Sequence, residues 1–258
     1  MMKIIETFQK NRFLFEELVA RDFKQKYKRT VLGMAWSILS PLLNLFVMSL
    51  VFTRIFGRST PHYTIYLFCG TLVMSYFKES TKNGMKSLMS NRGIITKINI
   101  PKYMFLLSNN VSSLINFCLT LSVFFVFCLF DGIKFRLSFL LLLFPVICLC
   151  IFNIGTGLIL SALFVFFRDT SYLYDIFLTL LNYLSAIFYR VDLFPDNIQK
   201  LFLLNPIYCY INYFRSIVID GVIPSASYHI LCLFYSLFML MAGFRIYKKY
   251  NHLFLYYM

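Results

Sequence analysis

Long stretches without Asp, Glu, Lys or Arg alternate along this chain with short basic or mixed segments. A helix needs about 20 apolar residues to cross roughly 30 Å of hydrocarbon, and the uncharged stretches are close to that length or longer. The pattern therefore predicts an all-α integral membrane protein with six transmembrane helices. The stretches are 34–53, 61–77, 104–130, 137–167, 172–189, which holds only Asp175, and 222–244.

Two apolar segments depart from this simple pattern. The 137–167 stretch is longer than one crossing needs and contains Pro145, which predicts a tilt, a kink or a helix that continues beyond the bilayer. The 201–214 stretch is too short to span a membrane, and Asn205 and Pro206 interrupt it. This stretch favours a re-entrant or interfacial hairpin between spans five and six.

Composition agrees with a membrane protein. The chain is 59% hydrophobic and 19% aromatic with a mean hydropathy of +0.71, which is more apolar surface than a soluble core of 258 residues buries. Its formal charge of +14 falls in the gaps between apolar stretches and not on one soluble face. We therefore expect the charge to face anionic membrane lipid, and no nucleic acid partner.

The basic residues are distributed unequally between the two sides of the predicted bundle. One side, which carries both termini and the gap after span two, holds 18 Lys and Arg residues, and the other side holds 7. Cytoplasmic loops carry the excess of Lys and Arg, so both termini are predicted to be cytoplasmic.

The N-terminal arm is charged throughout and lacks the apolar core of a cleavable signal peptide. Its apolar residues recur at helical spacing, which indicates either an amphipathic helix on the membrane surface or a helix packed on its own bundle. We interpret residues 1–32 as a cytoplasmic interface segment and 33–258 as the transmembrane domain. The apolar positions are Ile4, Ile5, Phe8, Phe15, Leu18, Val19 and Phe23.

Several kinds of chemistry are disfavoured. The seven cysteines form no metal-ligand pattern and are interpreted as buried thiols, so no metal site is expected. Within the predicted spans, ionisable residues occur only near span ends, at Asp175, His62 and His229, which disfavours an ion-coupled transporter. No catalytic cluster is visible, and without a P-loop any ATP must bind to a separate subunit.

The entry to the first predicted span carries a distinctive motif. Residues 21–41 contain Arg-Asp, alternating Lys, Tyr, Leu-Gly, Trp and Pro, in that order. This segment resembles the start of the first transmembrane helix in type-2 ABC exporter permeases, in the branch that moves O-antigen, capsule or teichoic-acid polymers. The resemblance implies a homodimer of this chain with two copies of an ABC ATPase, which would hold the ATP and Mg.

A second basic segment, 86–102, mixes apolar and basic residues and favours a short cytoplasmic helix with one apolar face. It resembles the family's coupling segment, which seats in a groove of the ATPase. Without the resemblance, a solvated loop that follows the positive-inside rule would be favoured. The predicted coupling residues are Asn91, Gly93, Ile94, Ile95, Lys97 and Pro101, together with Arg21 and Asp22.

A third match lies between spans five and six. In the family this region forms short external gate helices, although here Arg190 stands where a proline is common, which puts the local turn in doubt. Aromatic enrichment alone favours an ordinary external loop at the membrane interface. The predicted gate residues are Phe194, Pro195, Asn205, Pro206 and Arg215.

The inferred function is export of a lipid-linked polysaccharide across the bacterial inner membrane by a multi-pass permease. Lys24, Lys26, Lys28 and Arg29 are predicted either to capture the pyrophosphate of a polyprenyl-linked glycan or to act only as an orientation signal. Aromatic and amide side chains suit sugars. The candidate channel-lining residues are Tyr66, Tyr76, Phe77, Asn116, Asn153, Asn182, Tyr183 and Tyr189.

Two other functions are compatible with this sequence. A permease for drugs, ions or small lipids would share the topology, and genes for glycosyltransferases beside this gene would argue against it. A membrane scaffold without transport activity would need no ATPase, and a neighbouring gene for such an ATPase would argue against it.

Overall fold

The computed structural model describes residues 11–28, 30–56, 62–98 and 100–258, with the side chains of a few helical residues outside the description. Helices account for most of these residues, and the described ranges contain no β-strand. The predicted all-helical class is confirmed.

The longer helices follow the apolar stretches of the sequence, and short helices connect them. The connecting elements are short helices and segments of 3₁₀ or π geometry. In chain order the α-helices are α1 Arg12–Tyr27, α2 Trp36–Phe56, α3 Tyr63–Ser90, α4 Arg92–Ile95, α5 Tyr103–Phe130, α6 Leu143–Phe166, α7 Thr170–Leu184, α8 Asp196–Phe202, α9 Pro206–Arg215, α10 Ala226–Tyr250 and α11 Phe254–Tyr257, with 3₁₀ turns at Gly33–Ala35, Leu137–Leu142 and Val191–Leu193 and a π turn at Ser216–Asp220.

Among the described residues, three helices are long and apolar enough to cross a membrane: Tyr103–Phe130, Leu137–Phe166 and Ala226–Tyr250. A shorter apolar stretch, Trp36–Met48, begins α2. Helices α2, α3 and α7 occupy the other predicted positions, but α3 carries charges within its length and α7 has only 15 residues. The protein is a helical membrane protein, and its six crossings stay a prediction.

Helix α3 differs most from the sequence prediction. The uncharged stretch ends at Phe77, but the helix continues to Ser90 because Lys78–Ser90 contains no proline and consists mainly of residues that tolerate a helix. Lys78 and Glu79 therefore lie in the middle of α3 and not in a loop. Because α3 is not among the three membrane-crossing helices of the described residues, the statement that ionisable residues occur only near span ends stays a prediction.

Pro145 also has a different role from the one predicted. It lies in the first turn of α6, where the backbone N–H groups have no partner within the helix in any case. The 3₁₀ turn Leu137–Leu142 precedes it, so the long apolar block is divided before the proline and not kinked by it.

Helix α1 packs on the protein's own bundle, against α5. Leu18 is buried with Leu88, Ile95 and Phe105, while Phe13 is 77% exposed. This is the second of the two arrangements that the arm's pattern allowed. Ile4, Ile5 and Phe8 lie outside the described residues.

The bundle core has α3 packed between α5 and α6, and α6 packed along α10. The α6–α10 contact is close because both helices carry glycine there. A Cβ atom on Gly155 would lie 2.5 Å from the Met239 carbonyl carbon, and Gly243 faces Gly155 from the other helix. Small residues let helix backbones approach in this way within membranes.

Candidate functional site

A groove of about 600 Å³ lies between α2, α3 and α5. Its lining contains hydroxyl, carboxamide, charged and aromatic side chains, which is unusual between apolar helices. The lining residues are Thr30, Trp36, Ser37, Ser40, Pro41, Asn44, Met48, Phe68, Thr71, Leu72, Met74, Ser75, Tyr76, Lys78, Glu79, Ser113, Asn116, Phe117, Thr120 and Asn182.

Helical spacing explains why these side chains meet in one groove. On α5, Ser113, Asn116, Phe117 and Thr120 are three or four residues apart and therefore share one face. Helix α2 contributes Ser37, Ser40, Asn44 and Met48, and α3 contributes Thr71, Ser75 and Glu79, at the same spacing. The exposed face of α2 is apolar, with Leu43, Phe46, Val47, Leu50 and Val51.

Two charged side chains of α3 line the groove and are held by carboxamides from other helices. The Asn116 Nδ2 donates to the Glu79 Oε1 at 2.7 Å, which joins α5 to α3. The Lys78 Nζ donates to the Asn182 Oδ1 at 3.3 Å, which joins α3 to α7. Ionisable residues inside membrane bundles mark substrate or ion pathways, so the groove is the strongest candidate site in the described structure.

The groove includes three of the eight predicted lining residues, Tyr76, Asn116 and Asn182. Phe77 and Asn153 are buried in the core, where Phe77 packs against Phe152. Tyr183 is exposed. Tyr189 packs in the gate region, and its backbone oxygen accepts a hydrogen bond of 2.6 Å from the Tyr66 hydroxyl. Tyr66 lies at the start of α3 and does not line the groove.

Sequence reasoning missed most of the polar lining. Ser40, Asn44, Thr71, Ser75 and Thr120 lie inside uncharged stretches, where each is unremarkable by itself. Their spacing of three, four and seven residues is the signal that could have found them.

One end of the groove lies beside the predicted lipid-headgroup entrance. Thr30 and Trp36 line this end, and Lys24 and Lys28 are exposed shortly before them in the chain. Lys26 lies in α1, but its side chain is outside the description, and Arg29 lies outside the described residues.

The predicted coupling segment forms the short helix α4, but its apolar residues face inward. Ile95 is only 7% exposed and packs in the core with Leu88 and Phe254, and Ile94 packs against the same cluster. Both isoleucines are therefore used by the protein's own fold. The exposed residues of α4 and of the three positions that follow it are Arg92, Gly93, Thr96, Lys97 and Ile98.

The other predicted coupling residues also make internal contacts. The Ser108 Oγ donates to the Asp22 Oδ2 at 2.8 Å, so Asp22 fixes α1 to α5. Arg21 pairs with Asp22, with 2.6 Å between guanidinium and carboxylate. Asn91 is buried at the end of α3 and donates to the Ser87 carbonyl, and Pro101 is half-buried before α5.

Short helices occupy the predicted gate region, as expected. Asn205 caps α9, since its side chain accepts hydrogen bonds from the N–H groups of Ile207 and Tyr208, and Pro206 fills the first helical position. Phe194 and Pro195 lie on the exposed side just before α8. Arg190 adopts an extended conformation and pairs with Asp192, with 3.0 Å between Nε and Oδ1.

Arg215 is the gate residue whose environment differs most from the expectation of an external position. It is 4% exposed and donates hydrogen bonds to the carbonyls of Tyr66, Ala186 and Ile187 at 2.9–3.4 Å. Its guanidinium carbon lies 3.4 Å from the centre of the Tyr66 ring. Arg215 thus ties α9 to the start of α3 and to the turn after α7.

Comparison with known proteins identifies the family of this bundle. Residues 14–219 match the ABC-2 type transporter family, which covers α1 through most of the gate region. The chain belongs to the ABC-2 type transporter family. Membership agrees with the membrane-protein fold and with the resemblance seen in the N-terminal motif.

Individual members of the ABC-2 family align over nearly the whole chain. An O-antigen export system permease protein from Klebsiella pneumoniae is 31% identical over 82% of this chain and 83% of its own length. A protein with the same description from Myxococcus xanthus is 27% identical over 88% of each chain. A polysialic acid transport protein from Escherichia coli is 21% identical over 93% of this chain and 95% of its own length.

ABC-2 family members are in general transmembrane subunits that are not themselves enzymes, and membership implies an ABC ATPase as partner. It also implies a multi-pass protein of a bacterial inner membrane.

Proposed function

We propose that this chain is the permease subunit of an ATP-driven exporter that moves a lipid-linked cell-surface polysaccharide out of the cytoplasm. The polar groove between α2, α3 and α5 is the observation that carries the proposal. Two similar proteins are described as O-antigen export permeases and a third as a polysialic acid transport protein, which supports a polysaccharide as substrate.

The chemistry of the groove suits a sugar chain. Sugar hydroxyls need hydrogen-bond partners, and Ser40, Thr71, Ser75 and Thr120 offer weak, reversible ones. Among the aromatic residues of the lining, Trp36 is exposed, and its ring suits the C–H face of a pyranose ring. A moving polymer benefits from many modest contacts, because no single contact then holds it in place.

We infer that two copies of this chain form the channel and that each pairs with one ABC ATPase copy, where ATP and Mg bind. A groove along one side of a protomer becomes an enclosed path when a second protomer faces it. Arg190, the gate helices α8 and α9, and Arg215 are assigned to the external side by the distribution of basic residues, with both termini cytoplasmic.

We also infer that the basic end of the groove receives the carrier lipid. Lys24 and Lys28 are exposed and precede the groove residue Thr30 by six and two positions in the chain, so a pyrophosphate bound to them would be held near the groove lining. The proposal also includes Arg29, which was predicted from the sequence to be part of this lipid-headgroup entrance.

Export is tested by depleting the permease in cells that make the polymer. We expect surface polymer to disappear and lipid-linked polymer to accumulate inside, with the same result on depletion of the ATPase. If synthesis stops without accumulation, the scaffold function is favoured. If surface polymer is unchanged while drug or lipid export fails, the permease belongs to the other transport class.

Coupling to the ATPase is tested with two isoleucines that differ in burial. Ile98 is 55% exposed, so Ile98→Asp places a charge on the surface proposed to meet the ATPase, and co-purification of the ATPase is expected to fail at an unchanged unfolding temperature. Ile95→Asp buries an unpaired charge and is expected to lower the unfolding temperature instead. Retained co-purification in Ile98→Asp would contradict the docking role.

A further inference from the structure

A second cavity, of about 400 Å³, lies between the start of α3 and the gate helices α8 and α9. Its walls include Arg190, Asp192, Gln199, Asn212, Arg215 and Asp220. The volume is within the range of small-molecule sites, which is roughly 300–1,000 Å³. Apart from the two arginines, none of these wall residues was assigned a role by the sequence.

The charges around this cavity balance. Asp192 is paired with Arg190, and the guanidinium of Arg215 is occupied by three backbone carbonyls. The Asp220 carboxylate has no ion-pair partner among the described residues. With two positive and two negative side chains, the cavity has no net charge that would select an anion or a cation.

The hydrogen-bonding groups that remain in the wall include both donors and acceptors. Gln199 donates its Nε2 to the Phe194 carbonyl at 2.8 Å, and Asn212 donates its Nδ2 to the Tyr228 Oη at 3.3 Å. Each of these side chains keeps a carbonyl oxygen and a second N–H, and Asp220 adds a carboxylate. A neutral ligand that matches this mixture must both donate and accept hydrogen bonds, as hydroxyl groups do.

Two tyrosines, Tyr66 and Tyr208, are also in the wall. The Arg215 guanidinium covers one face of the Tyr66 ring, and Tyr208 is only 7% exposed, so the cavity offers a ligand mainly hydrogen-bonding groups. A sugar ring fits such a wall because its rim of hydroxyls both donates and accepts hydrogen bonds.

We propose that this cavity binds one or two uncharged pyranose rings at the outer end of the permease. The proposal rests on the proposed export function and adds to it a sugar site separate from the groove. A polymer segment held there after leaving the groove would be hindered from sliding back.

The proposal is tested by saturation-transfer NMR on the purified permease with its ATPase in lipid nanodiscs. The probes are the methyl pyranosides of glucose, galactose and mannose, with N-acetylneuraminic acid as an anionic probe and Ca²⁺ as a cation competitor. We expect at least one neutral pyranoside to bind, with a dissociation constant about tenfold weaker in Asp220→Asn because one charged hydrogen-bond acceptor is lost.

Two further variants complete the test. Gln199→Phe fills the cavity from α8 and is expected to abolish binding, while Asp196→Asn, on the exposed start of the same helix, is expected to leave binding unchanged. No variant may have an unfolding temperature below the wild-type value. The proposal is overturned if no pyranoside binds, if binding ignores both cavity variants, or if only the anion or Ca²⁺ depends on Asp220.

The result separates this proposal from the export function. If the wild-type permease supports surface polymer in cells while no pyranoside binds in the nanodisc, the cavity proposal fails and export stands. If surface polymer does not depend on the permease, the export function itself fails.

Discussion

The two sides of α3 have opposite properties. Toward α6 the helix is closely packed, with Phe77 against Phe152 and Gly84 facing Gly157. Toward α2 and α5 the same helix presents Thr71, Ser75 and Glu79 to an open groove. Helix α3 thus has a closely packed interface with α6 on one side and a polar groove on the other.

The difference indicates that stability and transport depend on different parts of the bundle. The seam of α3, α6 and α10 relies on backbone proximity, which is stiff because close-packed atoms leave no room for rearrangement. The groove relies on side chains that can exchange partners with a ligand. We expect substitutions in the seam to reduce stability, and substitutions in the groove to reduce transport.

Arg215 gives the largest expected effect, because it is a buried charge on α9 whose contacts lie outside both the seam and the groove. Arg215→Met removes the guanidinium donor from the carbonyls of Tyr66, Ala186 and Ile187, of which Ala186 keeps a hydrogen bond of 3.4 Å from the Tyr66 hydroxyl, and each buried group left without a partner costs about 1–3 kcal/mol. We expect a loss of about 4 kcal/mol in the free energy of unfolding. Thermal unfolding in detergent measures it, with the exposed Lys200→Met as control.

A small effect of Arg215→Met would mean that the gate helices are held in another way. Arg215→Lys refines the result, because lysine keeps the charge but cannot reach several carbonyls with one planar group. We expect it to recover only part of the lost stability.

Gly155 tests the seam with the smallest possible change. In Gly155→Ala the new Cβ would meet the backbone of Met239 at 2.5 Å, and backbone cannot rotate away, so we expect about 3 kcal/mol of destabilisation. Gly157→Ala is the matched control on the same helix, since its Cβ would make only ordinary contacts, with the Leu106 side chain at 3.4 Å and the Gly84 Cα at 3.8 Å. Equal unfolding temperatures for the two variants would show that the seam is not tight.

Glu79 tests the groove. Glu79→Gln keeps the shape of the side chain and removes its charge, so we expect the unfolding temperature to change little and the rate of polymer export to fall about tenfold, which corresponds to roughly 1.4 kcal/mol. Glu16→Gln, an exposed carboxylate of α1 paired with Arg12, is the control. Normal polymer export by Glu79→Gln would contradict the proposal that the polymer passes through the groove.

Asp220 gives the smallest expected effect and a dependence on pH. Burial raises the pKa of Asp220 above its ordinary value of 3.8, with Arg190 and Arg215 opposing the rise and Asp192 adding to it. A raised pKa means that the stabilising contribution is complete below about pH 3.8 and is lost as the pH rises through the raised value.

The charged form of Asp220 therefore costs stability at neutral pH, and Asp220→Asn removes this cost. Because the residue is partly exposed, we expect a gain below about 1 kcal/mol at pH 7 that disappears toward pH 4. Unfolding temperatures of the two proteins across this range measure it. A destabilised Asp220→Asn at pH 7 would contradict the assignment.

The local sequence pattern was sufficient to predict the long helices and the short helices of the gate region. The apolar stretches gave the positions of α2, α5, α6 and α10, because a membrane helix satisfies its own backbone and needs only length and apolarity. Asn205 and Pro206 gave the break between α8 and α9 for an equally local reason, since one caps a helix and the other begins it.

The roles of individual side chains depended on what lies across the helix interface. From the sequence, Ile95 was predicted to dock the ATPase, but it is buried in one cluster with Leu88. Arg215 was predicted to be a residue of the external gate, and its guanidinium is buried among backbone carbonyls. Burial depends on contacts between residues that are distant in the chain, and no local pattern contains them.

The sequence by itself determined that this protein is a helical membrane protein, because hydrophobic length and charge position act along the chain, and its motifs resembled those of the family that the comparison then showed. Only the tertiary structure decided which polar residues share a groove. Asn116 and Glu79 are 37 positions apart yet 2.7 Å from each other, because the packing of α5 on α3 sets the rotation of both helices about their axes.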